Sequence, residues 1–154
     1  GPDFHARLSA VNKRYVYQFH EGHAGPFETR WYWSTGYRLL DEAAMNAAAA
    51  ALLGRRDFSA FTANPRDGRE DDPVRDLRVL EVRRDGPRLY LAAEADSFLF
   101  RMVRSLAGCL FDAGIGKLSP QDVAEIRDSR TRTNRVQTAP ARGLFLDRVD
   151  YPSP

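Results

Sequence analysis

Three residues near the middle of the chain, Arg101, Arg104 and Gly108, have the spacing that places side chains on one face of a helix. The residues between them are strongly apolar, so a guanidinium group there must extend to solvent or pair with an acid or a phosphate. Spacing alone leaves two interpretations of Arg104 open, a structural salt bridge and a functional anion-binding group.

A second residue with chemical potential is Tyr15, which lies in the basic, alternating segment KRYVY at positions 13–17. An aromatic ring on a sheet beside cations can stack on an unpaired nucleic-acid base. The composition of the segment by itself favours the alternative, in which Tyr15 is an ordinary core residue.

The usual signatures of metal sites and of nucleophilic catalysis are missing from the sequence. His20 and His23 have i, i+3 spacing, but we expect them in a solvated loop, and two ligands rarely hold zinc. Cys109 lies among leucines and is interpreted as a small core residue. Ser97 and Ser119 are interpreted as helix caps. The sequence therefore predicts no metal site.

The composition fits one packed domain. The chain has 154 residues, of which 43% are hydrophobic and 29% charged, close to the length of about 150 residues expected of a single domain. The net charge is only +2, but 21 of the 23 basic residues are arginine. Arginine binds phosphate well, although codon bias explains the excess equally well. A single cysteine and the lack of a bilayer-length apolar run favour a cytoplasmic protein without a membrane segment.

Hydrophobic periodicity predicts an α+β fold with a mostly antiparallel sheet backed by helices. The polar stretch 62–73 is expected to be a surface loop, Asp-Gly at 85–86 predicts a hairpin, and Asp41 is expected to cap a helix. We expect strands at 8–19, 75–83, 88–95 and 143–151, a strand or extended segment at 28–35, and helices at 42–53, 98–113 and 119–128.

Five short motifs, in this order, resemble the signatures of the TruA-type tRNA pseudouridine synthases. Each is weak alone, but together they are specific and extend over nearly the whole chain. They are FHAR at 4–7, KRYVY at 13–17, DFSAF at 57–61, FLFRMVR at 98–104 with Gly108, and TAPARGLFL at 138–146 with VDY at 149–151.

The resemblance implies the pseudouridine synthase fold and an isomerase that needs no cofactor. Members of the family convert uridines of the tRNA anticodon arm to pseudouridine by detaching the base, turning it and rejoining it through carbon. By matching position, Tyr15 would stack on the target base and Arg104 would pair with the catalytic aspartate. Leu144 would form the apolar wall of the pocket.

One motif of the family is absent. The catalytic aspartate lies in a GRTDAGVHA-like segment upstream of FHAR, and the nearest string here, RDG at 66–68, does not match it. The resemblance therefore implies that residues 1–154 are a single C-terminal domain, and we expect this chain to be inactive alone. Gly1 and Pro2 are consistent with either a protease scar or native sequence.

The resemblance also implies partners. Full-length members are homodimers with a positively charged cleft, so the implied partners are tRNA, the N-terminal half of the same enzyme and a second copy. The candidate RNA-binding residues are Arg7, Lys13, Arg14 and Arg101. Two other functions remain open at this point, a non-catalytic RNA-binding module and a protein-interaction module.

Overall fold

The structure is a computed structural model, which describes residues 11–63 and 72–153. Within these ranges the chain forms a six-stranded sheet in the order β2-β1-β5-β4-β3, with β6 also paired to β1. Every pairing is antiparallel except the short pairing between β1 and β2. Three α-helices accompany this sheet, which confirms the predicted α+β class. The strands are β1 (Asn12–His20), β2 (Trp33–Ser34), β3 (Gly54–Asp57), β4 (Val74–Asp85), β5 (Arg88–Ala95) and β6 (Leu144–Asp150).

The helices are α1 (Glu42–Ala50), α2 (Met102–Gly114) and α3 (Pro120–Ser129). Local sequence explains two of the three starts. The side chain of Asp41 accepts a hydrogen bond from Ala44 N, and that of Ser119 accepts one from Asp122 N. These caps satisfy backbone donors that a helix start otherwise leaves unpaired, and both were predicted.

The core lies between the helices and one face of the sheet. Tyr17 and Phe19 of β1 and Leu91 of β5 point into it and are fully buried. Helix α2 is buried along almost its whole length, and Cys109 in it is a core residue as predicted. Burial raises the pKa of the Cys109 thiol to about 12, so this group stays protonated at neutral pH.

Some local predictions were wrong. The extended segment expected at 28–35 contains a 3₁₀ turn, Glu28–Arg30, before the short strand β2. His20 is not in a solvated loop, because it is the buried last residue of β1, with Nε2 3.0 Å from the Glu28 carboxylate. Ser97 does not cap a helix, since α2 begins only at Met102.

Several predictions fall outside the described residues, namely the FHAR motif with Arg7, the RDG string and most of the loop expected at 62–73. Among the helices that are described, none is long and apolar enough to cross a membrane. In the same part of the chain, no group of three or more His, Cys, Asp or Glu side chains is placed to hold a metal ion.

Candidate active site

A small cavity of about 240 Å³ opens between β1, the start of α2 and the start of β6. It gathers five of the residues that the sequence had singled out. Those residues are Lys13, Tyr15, Arg101, Arg104 and Leu144, and the rest of the lining is apolar apart from the backbone.

Tyr15 reaches this cavity from β1 at an irregular point of the sheet. The pairing of β1 with β6 shifts register between Arg14 and Tyr15, and such bulges redirect the side chains beside them. The Tyr15 ring is half-buried, and its centroid lies 5.3 Å from that of Phe98 in an edge-to-face arrangement. One side of the tyrosine is thus held by Phe98, while the residue also lines the cavity.

Arg101 lies between the irregular segment 98–100 and the first residue of helix α2. Its backbone is left-handed, with a φ of 56°, so the regular helix cannot extend back to Phe98 as its apolar spacing predicted. The Arg101 carbonyl accepts hydrogen bonds from the amide and the hydroxyl of Ser105, at 3.0 and 2.9 Å. The guanidinium lies 4.9 Å from the centre of the Phe100 ring. The turn at 98–101 therefore lines the cavity instead of forming a helical turn.

Arg104 enters the cavity from the first turn of α2. Its Nε donates to the Ala139 carbonyl at 2.8 Å, and Ala139 N donates back to the Arg104 carbonyl at 2.9 Å. Among the described residues, no carboxylate lies within salt-bridge distance of this guanidinium. The structural salt bridge that spacing allowed is therefore not formed in this part of the chain, and the cation is partly buried without a counter-ion there.

Arg132 fastens the segment that anchors Arg104, and sequence reasoning missed it. Its guanidinium donates to Ser105 Oγ at 2.6 Å, to Thr138 Oγ1 at 2.7 Å and to the Val136 carbonyl at 3.3 Å. Burial lowers the pKa of Arg132, which nonetheless remains a cation at neutral pH. The sequence around Arg132 could not predict this role, because one of its three partners lies in helix α2 and the other two lie in the loop after α3.

Position 108 of the buried helix α2 has room only for glycine, because a loop packs against the helix backbone there. A Cβ atom built there would lie 2.0 Å from the Gln137 carbonyl oxygen and 2.8 Å from its carbon. The loop that carries Ala139 therefore rests directly on the backbone of α2. This close approach keeps the loop and Arg104 at hydrogen-bonding distance.

Leu144, which lines the cavity from the start of β6, is placed by a similar contact. It pairs with Tyr17 in the sheet, and a Cβ atom at the preceding Gly143 would lie 2.7 Å from the Tyr17 ring. The Tyr17 hydroxyl donates to the Pro140 carbonyl at 2.7 Å. Burial raises the pKa of Tyr17 far above neutral pH, so its hydroxyl keeps its proton.

The candidate RNA-binding residues do not all meet at the cavity. Lys13 and Arg101 line it, but Arg14 is held elsewhere by Glu94 and Asp147, with N···O distances of 3.0 Å to each. Arg7 lies outside the described residues. The functional roles of all four residues stay predictions.

Comparison with known proteins agrees with the motifs. A family model described as tRNA pseudouridine synthase matches residues 48–152. The chain is 44% identical to tRNA pseudouridine synthase A of Methylobacterium nodulans over 153 residues, which cover 99% of the chain and 59% of that protein. It is 40% identical to the Maricaulis maris enzyme of the same name over 154 residues, with 99% and 60% covered. The chain thus spans about three fifths of the length of the curated relatives it matches.

Proposed function

The chain belongs to the tRNA pseudouridine synthase family, and from this premise we propose that it is the C-terminal half of an enzyme that isomerises uridine to pseudouridine in the anticodon arm of tRNA. The observation that carries the proposal is the convergence of Tyr15, Arg104 and Leu144 on one cavity. These residues are far apart in sequence and come from three different elements.

In this proposal Arg104 binds a carboxylate that another part of the enzyme supplies. The guanidinium is partly buried, is oriented by the Ala139 carbonyl and has no acidic partner among the described residues. Burying a cation is costly unless an opposite charge compensates it. A catalytic aspartate placed beside Arg104 would have a lowered pKa and would therefore stay ionised.

Tyr15 and Leu144 would hold the nucleotide on which that carboxylate acts. The target uridine must leave the helical stack before its base can be detached, and an aromatic ring stabilises the extruded base by stacking. Phe98 fixes the tilt of the Tyr15 ring by its edge-to-face contact. In the reaction, the bond from ribose C1′ to N1 breaks and a bond from C1′ to C5 forms. The proton on C5 is lost and N1 gains one, so no cofactor is consumed.

The partners belong to the same proposal. They are tRNA, an N-terminal half that carries the aspartate, and a second copy of the complete enzyme. The domain would extend over residues 1–154, and a tRNA substrate would place it in the cytoplasm. Lys13 and Arg101, which line the cavity, would contact phosphates next to the target nucleotide.

The decisive experiment combines this chain with an equimolar N-terminal half that contains a GRTDAG-type segment. Tritium release from tRNA labelled at uridine C5 would measure turnover. We expect activity only in the mixture. Arg104→Ala should reduce the rate roughly 100-fold, because losing the partner of a buried charge costs about 3 kcal/mol.

Two controls give the experiment its specificity. Arg83→Ala removes an exposed arginine outside the cavity and should leave the rate unchanged. Tyr15→Phe retains the ring and should keep most of the activity, whereas Tyr15→Leu should lose it. Turnover by the chain alone, or full activity of Arg104→Ala in the mixture, would overturn the proposal.

A further inference from the structure

A second cleft lies between the edge strand β3, the start of β4 and the C-terminal end of α3. It has a volume of about 440 Å³, and nothing in the proposed reaction uses it. We call it the arginine cleft, since four of its lining residues are arginines. These are Arg55, Arg56, Arg127 and Arg130, and they are accompanied by Asp57, Asp128 and Val74.

The charges in the arginine cleft do not cancel. Arg127 binds Asp128 through two nitrogens, at 2.8 and 3.1 Å, so this pair is neutral overall. Within the described ranges, none of Arg55, Arg56 and Arg130 has a carboxylate at salt-bridge distance. Even with Asp57 counted, an excess of positive charge faces the cleft.

The register of the sheet places a further arginine next to the cleft. Arg56 of β3 stands directly opposite Arg75 of β4, and like charges at such paired positions repel each other. The Nε atom of Arg75 is buried and has no hydrogen-bond partner among the residues described. Arg75 does not itself line the cleft, and its Nη1 donates to the Asp72 and Val74 carbonyls at 2.7 and 2.8 Å. Its charge nevertheless lies beside Arg56, and within the described residues neither arginine has a carboxylate at salt-bridge distance.

Arg130 adds an accessible guanidinium to the cleft from the end of α3. It ends α3 in the left-handed conformation, with a φ of 55°, where glycine is preferred because it lacks a Cβ atom. The positive charge of Arg130 offsets part of the cost of this conformation, because a cation at the C-terminal end of a helix interacts favourably with the helix dipole. After the hydrogen bond from Arg127, it also contributes to the lowered pKa of Asp128. The side chain is exposed and lines the cleft, so its guanidinium is accessible to an anion.

The arginine cleft lies within reach of the Tyr15 cavity. Gly54, Leu77, Ala95 and Lys13 are successive partners across β3, β4, β5 and β1. This row covers three strand spacings, or about 14 Å. The chain leaving β3 also reaches the cavity wall, because Ala63 N donates to the Phe100 carbonyl at 3.3 Å. A short length of RNA could contact both places.

We infer that the arginine cleft binds phosphates of the RNA whose target uridine occupies the Tyr15 cavity. The inference rests on the proposed function and adds a second contact to it. Guanidinium groups bind phosphate oxygens through paired hydrogen bonds. Contacts to the backbone at this distance from the target base would orient the RNA without reading its sequence.

The test uses the chain itself and an RNA hairpin with the sequence of a tRNA anticodon arm. Fluorescence anisotropy would give Kd at several KCl concentrations for the wild type and for the double variant Arg55→Gln/Arg130→Gly. The matched control is Arg83→Gln, which removes an exposed arginine from the far part of β4. Thermal unfolding of every variant would be recorded in parallel.

The expected results separate binding from folding. Loss of two phosphate contacts should reduce the slope of log K against log[KCl] by about 1.4 to 1.8 and weaken binding several-fold at low salt. Arg130→Gly alone should weaken binding without lowering the Tm, because the gain from glycine in the left-handed conformation offsets the loss of the cation at the helix end. A folding defect cannot produce this outcome. Arg83→Gln should leave the slope unchanged.

A slope and a Kd in the double variant equal to those of Arg83→Gln would overturn the inference. So would failure of the wild-type chain to bind the hairpin at low salt. Either result, together with normal tritium release by the reassembled enzyme, would leave the proposed isomerase function standing. If the mixture of the wild-type chain and the N-terminal half released no tritium, that function would be refuted, whether or not the chain binds the hairpin.

Discussion

Replacing Gly108 by alanine should destabilise the protein, although alanine is the better helix former by about 1 kcal/mol. The new Cβ would lie 2.0 Å from the Gln137 carbonyl oxygen, so the loop backbone must move by roughly 1 Å or more. Such overpacking costs about 1–3 kcal/mol. The movement would also weaken the two hydrogen bonds between Ala139 and Arg104, each worth about 1 kcal/mol. The net loss should be about 2 kcal/mol.

Urea denaturation followed by circular dichroism would measure this loss. With an m value of about 2 kcal/mol/M, the midpoint should fall by about 1 M. Ala47→Gly is the matched control, because Ala47 is exposed in α1 and its replacement removes only helix propensity, about 1 kcal/mol. If Gly108→Ala matches or exceeds the wild type in stability, the close contact between loop and helix does not constrain the protein, and the explanation given for Arg104 fails with it.

Three further predictions concern buried polar groups. Tyr17→Phe removes the hydrogen bond to the Pro140 carbonyl and should cost about 1 kcal/mol in urea denaturation, whereas an unchanged midpoint would show that this bond contributes nothing. Burial raises the pKa of Asp112 above the ordinary aspartate range, so the folded state binds this proton more tightly than the unfolded chain does. The contribution of Asp112 to the free energy of unfolding should therefore fall as pH rises through and above that range. Asp112→Asn keeps an acceptor for the Gln137 side chain but cannot titrate, so it should flatten this decline. Urea titrations at several pH values would measure the difference. Cys109 should resist a thiol reagent at neutral pH until urea unfolds the protein, and rapid labelling of the native state would contradict its burial.

Local chemistry made several elements predictable. Asp41 and Ser119 cap their helices through side-chain oxygens three residues from the amides that they bind. Gly86, with a φ of 61°, turns the hairpin between β4 and β5 because glycine tolerates that conformation. Each of these caps and turns depends on a few consecutive residues, so the local sequence is enough to predict it.

The start of α2 was not predictable in this way. The apolar spacing of residues 98–113 is helical throughout, yet the left-handed Arg101 interrupts it. The preceding turn is held from outside, since the amide of Ala63 and the hydroxyl of Thr62 donate to the Phe100 carbonyl. Tertiary contacts with a distant segment therefore outweighed the local preference for helix.

The candidate site was predictable in part. Motif resemblance selected Tyr15, Arg104 and Leu144, and the structure places all three on one cavity. Resemblance did not indicate Arg132, which fastens the loop that orients Arg104, or the arginine cleft at β3. Arg55 and Arg130 are separated by about half of the chain in sequence and line the same cleft only when the sheet and α3 pack together.

The sequence by itself thus determined most of the strands and helices, the caps at Asp41 and Ser119, the hairpin turn and the residue types available for chemistry, but not β3 or the start of α2. The features that it determined depend on interactions between near neighbours. Only the tertiary structure decided which arginines of the described residues line a cavity, which are neutralised by carboxylates and which have no carboxylate within salt-bridge distance there. The physical reason is that burial and charge pairing are set by contacts between segments tens of residues apart, such as Arg104 with Ala139 and Arg14 with Glu94.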